Sequence, residues 1–270
     1  MIANTYDRRQ FSRHDLTIDS IEHELAIAGK IQRSFFPSCS QCLGCYELAG
    51  NSISCTGIGG DYFDFFLNLD CPHQTAKIVV ADVSGHGIDA ALLMSSARAF
   101  IRSHWSRSKK PDKFISKVNR HFCLDNTRTG HFMTLFYLDV DLDTGNGSWV
   151  RAGHDPALLL TPDLDKFYEL KGFGLPIGVD CDYCYNAYQF ARPPEGTIIA
   201  IGTDGIWNAI NEDGEFFSKD RFKELLRISS HLSAEEIVDV VFQELAVFCK
   251  NVPLDDDITL VIIKALASNF

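Results

Sequence analysis

Ile78-Val79-Val80-Ala81-Asp82-Val83-Ser84-Gly85-His86-Gly87 runs from an apolar stretch through an aspartate into a glycine-rich turn. A short continuous apolar run of this kind is a buried strand, and this one delivers a carboxylate to the rim of a core. Three more acidic segments share that design. Gly59-Gly60-Asp61-Tyr62-Phe63-Asp64 lies upstream, Thr203-Asp204-Gly205 follows the apolar Thr197-Ile198-Ile199-Ala200-Ile201, and Asp255-Asp256-Asp257-Ile258-Thr259 opens the last apolar run. Aspartates beside glycines at strand ends suit a hard divalent cation, since Mg²⁺ and Mn²⁺ prefer carboxylate oxygen and water. Zinc would ask for His or Cys at short spacing. A metal-dependent enzyme acting on phosphate is the first expectation.

Outward from this core, short strands are expected at 46–50, 62–67 and 77–83, then helices from near Gly87 and over 112–124. Strands resume at 133–140, 148–152, 157–160, 166–170, 185–190 and 197–202. Helices return at 219–228 and 234–248, before a last strand at 258–263. Asp143-Thr144-Gly145-Asn146-Gly147 reads as a hairpin turn, because glycine and asparagine tolerate positive φ. Meandering strands with helices clustered between them indicate an α+β fold, antiparallel sheets with helices packed outside. Ahead of it, Ile18, Ile21, Leu25, Ala28, Gln32 and Phe35 form a heptad-like stripe that stops at Pro37. Two readings of that helix stand side by side: one packed on its own domain, and one that dimerises or transmits a signal. Residues 1–17, with Arg8, Arg9 and Arg13 among polar neighbours, are expected to be a flexible arm.

The formal net charge of -11 disfavours non-specific binding to nucleic acid or to an anionic bilayer. No apolar run approaches the ~20 residues of a membrane-spanning helix, and residues 1–17 lack the apolar stretch of a secretion signal, so the cytoplasm is the expected address. Nine cysteines include Cys39, Cys42 and Cys45 at a repeated spacing, and Cys181 with Cys184 at the same spacing. Reduced thiols and a soft-metal or redox site are both open readings. Cys123 and Cys249 read as small core residues of amphipathic helices.

Two divalent ions about 3.5–4 Å apart can activate a shared water and clamp the attacking and leaving oxygens at phosphorus. No Ser or Cys nucleophile is then needed, and the chain shows no evident triad and no Gly-x-x-x-x-Gly-Lys-Ser/Thr loop. Asp82 is the best candidate to bridge such ions, because it ends the most apolar strand beside a turn where the Val83 carbonyl can also reach a metal.

The ordered motifs resemble those of a known family. Gly59 to Asp64, Asp82 to Gly87, Thr134-Leu135-Phe136, Ala152-Gly153-His154, Gly174-Leu175-Pro176-Ile177-Gly178, Thr203-Asp204-Gly205 and Asp256-Asp257-Ile258-Thr259 look like those of bacterial PP2C-like (PPM) serine/threonine phosphatases of the RsbU/SpoIIE type. The resemblance runs from about residue 21 to about 264. It includes the helix ending Ile31-Gln32-Arg33-Ser34-Phe35-Phe36-Pro37, which looks like that branch's regulatory linker, so the chain divides into an arm at 1–17, a linker helix at 18–37 and a phosphatase domain at 38–270.

The resemblance implies a sandwich of two antiparallel β-sheets flanked by α-helices, two Mn²⁺ or Mg²⁺ ions, and hydrolysis of phosphoserine or phosphothreonine. The implied substrate is a phosphorylated anti-sigma-factor antagonist, a small STAS-domain protein of a partner-switching pathway, under control of an upstream sensor or activator. Residue by residue, Asp82 would bridge both metals with the Val83 carbonyl beside it, Asp61 would hold one ion, and Asp204 and Asp256 the other. Asp256 is preferred to Asp257 because it stands three residues before Thr259. Asp255 and Asp257 would be outer-shell or solvated charges, and Asp64 a turn or N-cap residue. His86 reads either as a general acid or as a structural part of the turn, and His154 as a packed or hydrogen-bonded histidine. Asn208 and Asp155 depart from the family pattern, which usually has glutamate and asparagine there. The competing readings are a catalytically silent phosphoprotein-binding module and a cysteine-based metal or redox sensor.

Overall fold

The computed structural model of the chain describes residues 18–38, 40–68, 74–105, 110–126, 130–163 and 166–267. The expected arm at 1–17 and Cys39 lie outside the described residues.

Two antiparallel sheets pack face to face between two layers of helix. The first joins β1 (Gln41–Leu43), β2 (Tyr46–Ile53), β11 (Ile258–Ala265), β10 (Ile198–Gly202), β7 (Ala157–Leu160) and β8 (Phe167–Leu170), in that spatial order. The second joins β3 (Asp61–Asn68), β4 (Thr75–Val83), β5 (Met133–Asp141), β6 (Gly147–Ala152) and β9 (Tyr188–Phe190). Helices α2 (Ile88–His104) and α3 (Pro111–Asp125) cover the second sheet, and α5 (Lys219–Ile228) and α6 (Ala234–Cys249) cover the first.

The apolar run that opened the reading explains the layering. Successive side chains of a strand point to opposite faces, and on β4 Ala76, Ile78 and Val80 enter the core between the sheets while Val79, Ala81 and Val83 pack under α2 and α3. β5 repeats the pattern, with Phe136, Leu138 and Val140 inward and Met133, Leu135 and Tyr137 outward. A strand buried on both faces must read as continuously apolar. Local chemistry sets the helix ends: Pro111 stands in the first turn of α3, and Ser233 and Glu236 form a reciprocal capping box on α6.

Two short elements escaped the sequence pattern, β1 and α4 (Gly205–Asn208), each too brief to show a period. The strand expected at 185–190 is confined to Tyr188–Phe190, and the Tyr185 amide donates instead to the Ser116 hydroxyl of α3 at 3.4 Å. The N-terminal helix α1 (Ile18–Arg33) ends before Pro37, its last turn closed by bonds from Ser34, Phe35 and Phe36 to carbonyls of residues 30–33. Its heptad stripe is not a buried seam: Gly29 and Gln32 are buried, whereas Ile21, Ala28 and Ile31 are exposed. Among the described residues no helix is long and apolar enough to cross a membrane.

Candidate active site

The acidic motifs converge at one end of the sandwich. Asp61 opens β3 and is the direct cross-strand partner of Asp82 near the end of β4. Asp204 follows β10 and stands at the N-cap of α4, while Asp256 and Asp257 lead into β11, the antiparallel neighbour of β10. Both sheets thus contribute to one rim.

Asp61 is buried and held across the two sheets. Its Oδ2 accepts a hydrogen bond from Thr203 Oγ1 at 2.8 Å, and Thr203 Oγ1 accepts one from the Thr259 amide at 2.9 Å. Burial first, then the charges of Asp82 and Asp257, push its carboxyl well above the usual carboxylate range. Asp82 is pushed up to about 7, first by burial and then by Asp256, Asp204 and Asp257. Asp256, although more exposed, is raised by burial and by Asp204 and Asp257, with His86 near enough to act in the opposite sense. Every group acting on Asp82 raises it, so no positive charge compensates this carboxylate.

Glycines make room for the rim. A Cβ on Gly60 would stand 2.7 Å from the Val83 carbonyl oxygen, and one on Gly59 would stand 1.8 Å from Asp257 Oδ2. Only bare backbone lets that carbonyl and that carboxylate come so close.

Of the two roles expected of Asp257, outer-shell or solvated charge, its burial removes the second. Its carboxylate accepts bonds from the backbone amides of Cys55 at 2.9 Å and Gly60 at 2.7 Å, drawing the loop before Asp61 onto β11. Asp64 is a correction to the sequence reading. It is a fully buried strand residue whose oxygens accept from Arg102 Nε at 2.6 Å, Arg102 Nη2 at 2.7 Å and Tyr62 Oη at 2.6 Å, tying β3 to α2. Asn208, noted above only as a departure, donates from Nδ2 to Asp204 Oδ2 at 3.0 Å and so touches a candidate ligand. Asp155 pairs with Lys219 at 3.1 Å.

His86 is exposed on the turn after Asp82. His154 is buried and paired through Nδ1 with Thr134 Oγ1 at 2.8 Å, and burial lowers it to about 4, so it is neutral. Its partner Thr134 lies opposite Asp82 in the β4–β5 register. His131 was not singled out from sequence, yet its Nδ1 donates to the Ser84 carbonyl at 2.8 Å and the Ser84 hydroxyl accepts from the Phe132 amide at 3.0 Å, which pins the turn after Asp82. Nothing in its local sequence marks it, because the contact spans two separate segments.

The donor set suits a divalent cation: hard oxygens from Asp61, Asp82, Asp204 and Asp256, and a backbone carbonyl at Val83. Among the described residues no three His, Cys, Asp or Glu side chains close tightly on a single point. The carboxylates face one another across a rim rather than forming a finished cage, as mutual repulsion demands. The cysteine motifs do not assemble there. Cys42 is exposed on β1 while Cys45 is buried with its thiol towards the Leu142 carbonyl, so the two diverge.

The family profile described as Stage II sporulation protein E (SpoIIE) matches residues 72–266. The chain belongs to the SpoIIE family. It is a PP2C-like serine/threonine protein phosphatase of the RsbU/SpoIIE type, the class its motifs resembled. Among curated proteins it is 26% identical over 244 residues to phosphoserine phosphatase RsbU of Bacillus subtilis (strain 168), covering 90% of this chain and 70% of that protein. It is 27% identical over 266 residues to protein IcfG of Synechocystis sp., covering 88% of this chain and only 41% of that one. Among solved structures, the SiaA-PP2C domain of Pseudomonas aeruginosa superposes with a TM-score of 0.77 at 25% identity, over 91% of this chain and 97% of that domain. The antiparallel sandwich with flanking helices is therefore the PP2C fold. Divalent metal ions are general to this family.

Proposed function

We propose that the acidic rim is a dinuclear metal site at which phosphoserine or phosphothreonine of a protein is hydrolysed. The observation that carries this reading is Asp82, pushed up to about 7 with no compensating cation acting on it. Asp82 would bridge two ions with the Val83 carbonyl beside it, Asp61 would hold one, and Asp204 and Asp256 the other. Two Mn²⁺ or Mg²⁺ ions supply the acidity that makes water nucleophilic at neutral pH and the charge that offsets a phosphoryl group.

The chain's own residues do the rest. Thr203 and Thr259 fix the Asp61 carboxylate of the second sheet against the first, Asn208 orients Asp204, and Asp257 holds the Gly59-Gly60 backbone, which lies close against the Val83 carbonyl. His131 keeps the Ser84-Gly85 turn in register with β5. His154 is neutral and buried, which suits support of Thr134 and not proton transfer to a leaving serine. The test is phosphate release from a phosphoserine peptide with and without Mn²⁺ or Mg²⁺, wild type beside Asp82→Asn and Asp204→Asn. Metal-dependent turnover that both variants lose is expected; equal turnover by variants and wild type would discard the assignment.

The substrate reading is a phosphorylated STAS-type anti-sigma-factor antagonist, supported by the likeness to RsbU. Release of phosphate from such a protein, at a rate well above that from a short phosphopeptide, is the result expected of it. Control is proposed to enter through α1, as a homodimer contact at 18–36 or as the contact of a sensor. Its exposed apolar face borders a groove of about 480 Å³ lined by Leu25, Ala28, Phe35, Ile58, Ile88 and Leu92. Sedimentation of Ile21→Glu and Leu92→Glu variants tests the dimer, and a profile unchanged from wild type would exclude it.

A further inference from the structure

The segment between β8 and β9 is bound to α3 by a set of contacts that the phosphatase reading leaves unused. Asn119, fully buried, donates from Nδ2 to the Asp180 carbonyl at 2.7 Å and accepts from the Gly178 amide at 2.8 Å. Arg120 pairs with Asp182 at 2.8 Å, and Phe122 packs so closely on Gly178 that a Cβ there would meet the ring at 2.9 Å. One turn beyond Asn119 stands Cys123, buried, with the Cys181 side chain as its neighbour across the bonds from Asn119 to Asp180 and Gly178. Both are free thiols, and Cys181 is exposed. Cys184, which sequence spacing would pair with Cys181, instead points its Sγ to the Asp182 carbonyl at 3.7 Å.

Disulfides require the two sulfurs to approach with little backbone movement. The four anchoring contacts around Asn119 already hold this pair together. We propose that Cys123 and Cys181 form a reversible disulfide that fastens the β8–β9 segment onto α3. Low-molecular-weight disulfides are the oxidant. The Cys181 thiolate attacks one sulfur of R–S–S–R, giving the mixed disulfide and releasing one thiolate. Cys123 then gives up its proton to solvent and attacks the Cys181 sulfur, releasing the second. The protein loses two electrons and two protons, and R–S–S–R becomes two R–SH.

The order follows from burial, which pushes the Cys123 thiol up to about 12 ahead of the contributions of Cys181, Asp180 and Asp182. The exposed partner therefore meets the oxidant first. The fastened segment also carries Ile177, whose backbone exchanges bonds of 2.9 Å and 2.8 Å with Met133, the residue paired with Val83. The segment that the bond would lock is thus joined through Met133 to the strand end that carries Val83.

The test treats the full native chain with oxidised glutathione and maps its peptides without reduction. A Cys123–Cys181 cross-link is expected, reversed by dithiothreitol, retained in Cys184→Ser and lost in Cys181→Ser. Cys181→Ser changes an exposed side chain, so its folding is checked by an unchanged melting curve; the more buried Cys123→Ser is secondary. A Cys181–Cys184 link, a bond between two chains, or glutathione left on Cys181 with Cys123 still free would each overturn the proposal.

Discussion

Removing the charge of Asp82 is expected to stabilise the metal-free protein while abolishing its response to metal. The folded carboxyl is raised from 3.8 to about 7, so its linkage runs opposite to that of a salt-bridged aspartate. Below the unfolded value both states are protonated and the group contributes nothing. Between the unfolded and the folded values the unfolded chain ionises while the native state still holds its proton, so stability falls; above the folded value the native state carries the ion at the full cost. At pH 8 the separation corresponds to up to about 4 kcal/mol, at ~1.4 kcal/mol for each step in pKa. Asparagine fills nearly the same space without the charge, and it also relieves the repulsion on Asp61. In chelator at pH 8, Asp82→Asn should melt on the order of 10 °C above wild type, taking ~2–4 °C per kcal/mol for a chain of this size. At pH 3, below both values, the two should nearly coincide. Saturating Mn²⁺ should reverse the order, because ligand binding to the native state stabilises only the protein that still holds the ions. Thermal scans across pH, with chelator and with Mn²⁺, give the whole comparison. A variant no more stable than wild type at pH 8 without metal would refute the claim that the rim is held under uncompensated charge.

Three further outcomes follow from contacts around the rim. Gly60→Ala places a Cβ 2.7 Å from the Val83 carbonyl oxygen; the overpacking is expected to cost ~1–3 kcal/mol by denaturant titration and to raise the Mn²⁺ concentration needed for half-maximal activity. Gln32→Ala removes the paired bonds of 2.8 Å and 2.9 Å between α1 and Gly59; a loss of ~1–3 kcal/mol in docking should appear as faster proteolysis within α1 together with a fall in activity, since Gly59 adjoins the Asp61 loop. Arg102→Met strands the buried Asp64 carboxylate with Tyr62 as its remaining side-chain donor; because Arg102 is itself 45% exposed, the expected loss is ~2–3 kcal/mol rather than the full cost of breaking a buried pair, read as a lower denaturant midpoint with the metal requirement unchanged.

How far the sequence was legible depended on the range of each interaction. Runs such as 75–83 and 133–141 announce themselves, because a strand buried on both faces is mostly apolar, and the polar exceptions here are paired, as Lys77 is with Asp139, or stand at the rim. Ala157–Leu160 and Lys219–Ile228 fall where the pattern placed them. β1 and α4 are three and four residues long and carry no period to read. The candidate ligands were legible by order along the chain, since each aspartate ends or opens an apolar run. Asp64 was misread, and Asp257 left between two roles, for the opposite reason: what defines them is a partner 197 residues away for Asp257 at Gly60, and a helix one layer above for Asp64. His131 stayed invisible on the same grounds.

The same contrast bears on how a phosphatase of this kind can be governed. A carboxylate cluster with no internal counter-charge is costly to assemble, so its geometry is set by whatever holds its backbone. Here that backbone is gripped from three directions. Asp257 takes the Gly60 amide from the β11 side, His131 fixes the turn after Asp82 from the segment leading into β5, and Gln32 reaches Gly59 from α1 with both ends of its amide. The first two grips come from segments that run directly into the core strands β11 and β5. The third comes from a helix whose apolar stripe is largely uncovered and whose docking rests on Gly29, Gln32 and a few aromatic contacts, among them Phe36 stacked on Phe63 at 5.2 Å. An element held by few buried contacts opens at a lower free energy than the core it leans on. Of the three grips on the rim, α1 is thus the one a partner could strengthen or release without unfolding the domain, and the bidentate Gln32 bond is where such a change would reach Asp61.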